Sequence, residues 1–110
     1  MIATGGTIAS KEIENGLAPV MTGEELAASV PGIKDKCEIT VMQLMNIDST
    51  NMRPRLWQLM SDTIIEHYNN YDGFVILHGT DTMAYTAAAL SYLIQDSPKP
   101  IVLTGSQKPM

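Results

Sequence analysis

Phe74-Val75-Ile76-Leu77 is an unbroken apolar run that gives way at once to His78-Gly79-Thr80-Asp81-Thr82, then to a helical window from Thr82 to Ile94. A strand that is apolar at every position is buried on both faces, which is the habit of parallel sheets. A helix directly after it supplies the crossover that a parallel neighbour needs. This succession narrows the chain to an α/β architecture, and it recurs. Met1 to Thr4 starts apolar and meets a glycine turn at Thr4-Gly5-Gly6-Thr7. Thr22-Gly23-Glu24-Glu25 has the form of a capping box and predicts a short helix from Gly23 to Val30, stopped by Pro31-Gly32. Glu38 to Leu44, with Ile39, Val41 and Leu44 apolar, reads as a strand, and Asn46 to Asn51 as a polar loop. Pro54 opens a helix whose Trp57, Met60, Ile64 and Tyr68 share one face. Ile101 to Gly105 reads as a last strand, and Lys11 to Val20 as a loop or loose hairpin. The alternation predicts right-handed crossovers and a parallel, Rossmann-like three-layer sheet with helices on both faces. The helix Thr82–Ile94 is Ala-rich and apolar on most sides, so it is expected to be buried against that sheet.

A length of 110 residues allows one domain around one core. The net charge is −5, from 7 basic and 12 acidic residues with no Lys/Arg cluster, which argues against a nucleic-acid partner. Cys37 is the one cysteine, so an internal disulfide is excluded and a reducing compartment fits. Its side chain is expected to be buried or half-buried. No stretch approaches the ~18 apolar residues of a membrane span, and no basic segment followed by an apolar one marks a leader. A cytoplasmic protein without membrane contact is expected. Both ends of the chain are abrupt. The opening strand is shorter than the usual ~5–6 residues, and the last one is followed closely by the terminus. Both read as cuts through a larger domain, so residues 1–110 are expected to be incomplete at both ends.

Several polar turns carry candidate chemistry, and each has a plainer structural alternative. Thr7 follows two glycines and could offer its hydroxyl as a nucleophile if a base activates it. Taken alone, the turn is better read as a hydroxyl bonded to its own backbone. Asp48-Ser49-Thr50-Asn51 follows a strand and could hold the carboxylate and amine of a small zwitterion, or form only a turn. Thr80, Asp81 and Thr82 together exceed what a helix cap needs, although Asp81 near a helix N-terminus is favoured by the dipole in any case. His78 reads as a satisfied core histidine, or as one that supports a site residue from behind, more readily than as a ligand itself. With only His67 and His78 present, no metal-ligand spacing exists. Ser106-Gln107-Lys108 follows another strand and either lines the same crevice or forms a solvated loop. Neither a dinucleotide fingerprint nor a P-loop is present.

Taken in order, Thr4-Gly5-Gly6-Thr7-Ile8-Ala9, Asp48-Ser49-Thr50, His78-Gly79-Thr80-Asp81-Thr82-Met83 and Thr104-Gly105-Ser106-Gln107 resemble the bacterial-type L-asparaginase/glutaminase family. The stretches Tyr71-Asp72-Gly73-Phe74 and Ala88-Ala89-Leu90-Ser91 are most similar to the cytoplasmic type I asparaginases. The resemblance runs along the whole chain but covers the N-terminal part of a two-domain fold, and the C-terminal domain has no counterpart in these residues. It implies that Thr7 attacks the side-chain amide of L-asparagine, that ammonia leaves, and that water then frees L-aspartate from an acyl-enzyme. It implies that Thr80, with Asp81 and a lysine, handles protons. It also implies that Asp81 holds the substrate's ammonium, that Ser49 holds its carboxylate, and that Thr50 is a further polar contact. Ser106 falls in the last matching motif and is taken as a substrate contact. No cofactor or metal is implied, and the full-length chain is expected to form a homodimer or homotetramer.

Two departures stand out. Leu17 lies near the place where many family members carry a tyrosine in the loop after the nucleophile, and neither Lys99 nor Lys108 matches the family's catalytic lysine by motif. Residues 1–110 alone are therefore expected to be inactive. The same motifs suit L-asparagine hydrolysis, with L-glutamine as an alternative substrate. They suit equally the glutaminase-type subunit of a tRNA-dependent amidotransferase. An amino-acid-binding fragment without turnover is the reading from outside enzymology.

Overall fold

The computed structural model describes residues 1–6, 10–13, 16–19 and 22–108. Its elements run in chain order as β1 (Ile2–Gly5), β2 (Ser10–Ile13), β3 (Gly16–Pro19), α1 (Gly23–Ser29), β4 (Met42–Ile47), α2 (Pro54–His67), β5 (Phe74–Leu77), α3 (Met83–Leu93) and β6 (Ile101–Thr104). Four strands form one parallel sheet in the order β4-β1-β5-β6. The expected α/β alternation is therefore present. The polar stretch after β1 is a hairpin, with β2 and β3 paired antiparallel and Leu17 opposite Glu12.

Local signals explain where the helices start. The Thr22 hydroxyl accepts from the Glu25 amide at 3.2 Å, and the Glu25 carboxylate accepts from the Thr22 amide at 2.7 Å, so the capping box is complete. Pro54 takes the first position of α2, where its missing N–H has no helical partner to lose. Met60 and Ile64 are fully buried on that helix's inner face, with Trp57 and Tyr68 packed at the margin of the same cluster. This core also takes Ile2, Phe74 and Ile76 from the sheet and Leu90 from α3. The alternate sheet positions, Ala3 and Leu77, form a second small cluster with Met1 and Val75. Met1 and Val75 border a groove with Ile33 and the segment Cys37–Thr40, which also lies beside Ala27 and Ala28 of α1.

Three expectations are corrected. The second parallel strand runs from Met42 to Ile47, not from Glu38 to Leu44. Pairing with β1 sets this, because Ile2 lies opposite Met42 and an irregularity between Ala3 and Gly5 carries the register on to Ile47. Helix α3 is not buried on most sides among the described residues. Thr86 and Leu90 are its buried positions, whereas Tyr85 is 68% and Tyr92 79% exposed. The helix meets the core along one stripe, and its composition exceeds what that stripe needs. Cys37 is exposed, since it follows a 3-10 turn on the surface, and its thiol donates to the Ile33 carbonyl at 3.7 Å. Among the described residues, no helix is long and apolar enough to cross a membrane.

Candidate active site

Because β4, β1, β5 and β6 are parallel, the turns that follow them all leave the sheet at its carboxyl edge. In open α/β sheets that edge is where ligands bind. The close approaches there are tight. Gly6 has φ +89°, which an L side chain rarely adopts, and a β-carbon on it would collide with the Gly79 backbone, 2.5 Å from the amide nitrogen. A β-carbon on Gly79 would in turn lie 2.7 Å from both the Cβ and the Oγ of Ser49. One on Gly105 would meet the His78 carbonyl and, at 3.3 Å, the Thr80 methyl. The His78 amide donates to the Thr104 carbonyl at 2.9 Å. Segments far apart in sequence thus converge on Gly79, with Thr80 and Asp81 next to it.

Ser49 is 3% exposed, and its Oγ has no hydrogen-bond partner among the described residues. A buried hydroxyl left unpaired costs about 1–3 kcal/mol, so the crevice carries a polar atom that a ligand could satisfy. The Ser49 carbonyl accepts from the Thr82 hydroxyl at 2.8 Å. Thr82, not Asp81, occupies the N-cap position of α3, and with its hydroxyl spent across the crevice it makes no cap bond. The first amides of α3 are therefore without a side-chain cap, in a field that favours an anion. Asp81 is exposed and Thr80 half-buried at this helix start.

The remaining candidates are placed as follows. Asp48 Oδ1 accepts from the Thr50 amide at 2.9 Å and the Thr50 hydroxyl at 3.0 Å, which closes the 3-10 turn bearing Ser49. The Ser106 hydroxyl donates to the Lys108 carbonyl at 2.6 Å and accepts from its amide at 3.1 Å, so it is engaged within its own loop. Thr7, adjacent to Gly6, lies outside the described residues. No group of three His, Cys, Asp or Glu among the described residues could hold a metal ion.

Two residues behind the crevice, Thr86 and Trp57, carry no site role on sequence grounds, yet both reach it through His78. That histidine is fully buried, with Nδ1 2.6 Å from the Gly79 carbonyl and Nε2 2.9 Å from Thr86 Oγ1. The Trp57 indole donates to the same hydroxyl at 2.9 Å. Burial pushes the His78 pKa below its usual 6.5, partly opposed by the Gly79 bond. Thr86 as a lone hydroxyl on the inner stripe of an apolar helix was the available signal.

The family model described as "Asparaginase, N-terminal" matches residues 1–110. An L-asparaginase of Thermococcus kodakarensis is 40% identical over 100% of this chain and 34% of its own length. A solved structure of the thermostable L-asparaginase from that organism superposes with a TM-score of 0.85, covering 98% of this chain and 33% of that one. A glutamyl-tRNA(Gln) amidotransferase subunit of Pyrococcus horikoshii is 45% identical over 98% of this chain and 25% of its own length. A probable cytoplasmic L-asparaginase of Campylobacter jejuni gives a TM-score of 0.87 at 37% identity, over 98% of this chain and 35% of that one. The chain thus spans between a quarter and about a third of the length of these relatives. With the family model matched from end to end and the parallel sheet superposed on solved asparaginases, the chain belongs to the asparaginase family.

Proposed function

We propose that the full-length protein is a cytoplasmic amidohydrolase that converts L-asparagine to L-aspartate and ammonia. The observation that carries this reading is the buried Ser49 hydroxyl, without a hydrogen-bond partner among the described residues, at the crevice where Gly6 and Gly79 meet. A small zwitterion fits such a site. Its carboxylate would accept from Ser49 Oγ, and its ammonium would pair with Asp81 across the start of α3. Its side-chain amide would then reach toward Thr7, the residue after Gly6. Attack by Thr7 Oγ on the amide carbon forms a tetrahedral adduct, and its collapse breaks the C–N bond as the leaving nitrogen takes a proton. Water then cleaves the ester. The family resemblance assigns the proton transfers to Thr80 with Asp81 and a lysine that has no motif match in residues 1–110. Thr50 and Ser106, each bonded within its own loop, would serve at the rim. As in family oligomers, a homodimer or homotetramer would complete the site.

Ammonia release from L-asparagine and L-glutamine by the full-length protein is the test, with L-asparagine expected to be the better substrate. No release from either would sink the proposal. The match to the Pyrococcus amidotransferase protein, at 45% identity, supports a second reading in which glutamine is cleaved to supply ammonia for tRNA-linked amidation. Glutamine hydrolysis that depends on glutamyl-tRNA and a partner protein would select that reading.

A further inference from the structure

We infer that His78 is a positioning residue, the middle of a directional hydrogen-bond relay running from Trp57 through Thr86 to the Gly79 carbonyl. The inference rests on the amidohydrolase reading only for what the relay serves. Its direction follows from the donor inventory. An indole N–H can only donate and a peptide carbonyl can only accept. The Gly79 oxygen, 2.6 Å from Nδ1, therefore requires the proton on Nδ1. In the neutral ring that leaves Nε2 as the acceptor, so the single Thr86 proton goes to Nε2 at 2.9 Å while the Thr86 oxygen accepts from the Trp57 N–H, also at 2.9 Å. Each atom in the series is then paired once, and the neutral Nδ1–H tautomer is the arrangement that satisfies all of them. A charged imidazole would turn Nε2 into a second donor to the Thr86 oxygen and remove the acceptor that the Thr86 proton has in this series.

The consequence for the crevice is geometric. Gly79 C=O belongs to the peptide that leads into Thr80. In a trans peptide the C=O and N–H point in opposite directions. Holding the carbonyl inward on His78 therefore fixes that peptide plane and turns the Thr80 amide away from the ring. The orientation of Thr80 and Asp81 is thus set from Trp57 on α2 and Thr86 on α3, neither of which needs to touch substrate.

Two measurements on the full-length protein test the relay. Long-range proton–nitrogen spectroscopy of the imidazole should show the Nδ1–H tautomer of His78 at neutral pH. An Nε2–H tautomer or a doubly protonated ring would overturn the assignment. Thr86→Val, close in shape, should lower kcat by about 100-fold through misplacement of the turn, with KM changed far less. Thr86→Ser should restore most of the loss. A folded Thr86→Val protein with wild-type kcat would also overturn it. If the wild-type chain cleaved neither amide, the proposed function would fail, and the tautomer would then decide the relay by itself.

Discussion

Gly79→Ala probes the packing on which the crevice depends. Gly79 is not among the glycines with positive φ, so an alanine there meets no backbone penalty and the effect is one of contact. Its new β-carbon would sit 2.7 Å from both Ser49 Cβ and Ser49 Oγ. Carbon atoms at rest lie about 3.5–4.0 Å apart, so the overlap is about 1 Å. Ser49 is buried and held by the Thr82 hydroxyl on its carbonyl, so it yields only by moving its turn. Overpacking of this kind costs about 1–3 kcal/mol. A value near 2 kcal/mol lowers the folded-to-unfolded ratio about 30-fold. Urea denaturation should show a lower midpoint with an unchanged slope. The partner variant Ser49→Gly removes both clashing atoms. Stability should therefore recover in the double variant, with a coupling of about 1–2 kcal/mol. KM should stay raised in the double variant, because the Ser49 hydroxyl is gone. An unshifted midpoint for Gly79→Ala, or strictly additive losses in the double variant, would refute the packing argument.

Three further outcomes are expected. Thr7→Ala in the full-length protein should lose several orders of magnitude in turnover with an unchanged circular dichroism spectrum, since the covalent route is removed; near-normal amide hydrolysis would end the nucleophile assignment. Asp81→Ala should abolish L-aspartate binding in calorimetry, whereas Ser49→Ala should mainly raise KM; equal aspartate affinity in Asp81→Ala and wild type would contradict this site map. Burial lowers the His78 pKa below 6.5, so the unfolded chain takes up a proton there before the folded one does. The stability this represents is fully present above about pH 6.5 and is lost as pH falls toward the depressed folded value. His78→Gln should flatten that part of the stability–pH curve, and a slope identical to wild type there would show that His78 does not cause it.

Strands β1, β5 and β6 were legible in the sequence because each starts as a short apolar run punctuated by glycine or proline, and α2 because it repeats its apolar face over four positions. The Met42 start of β4 was less legible, since Ile39 and Val41 alternate as well as Leu44 does, and only pairing with Ile2 decides among them. Ser49, Gly79 and Gly6 could be picked out as turn residues. That they touch could not, because each lies on a different crossover and the contact is tertiary. The Trp57–Thr86–His78 series was hidden for the same reason, Trp57 and Thr86 standing 29 positions apart. The Ala-rich composition of α3 misled in the opposite direction, because apolar composition alone does not say which side of a helix finds a partner, and Tyr85 and Tyr92 stand exposed.

The strand order β4-β1-β5-β6 has a consequence for how the crevice comes into being during synthesis. Its walls belong to residues 6, 49, 79 and 105, so every contact between them closes a loop of tens of residues. Such closures are entropically costly and slow compared with the formation of local structure. Strand β1 stays without its second neighbour until Phe74–Leu77 has been made. Gly6 and Ser49 can therefore meet Gly79 only after Phe74–Leu77 has been made, and these contacts form as the sheet closes around its first strand.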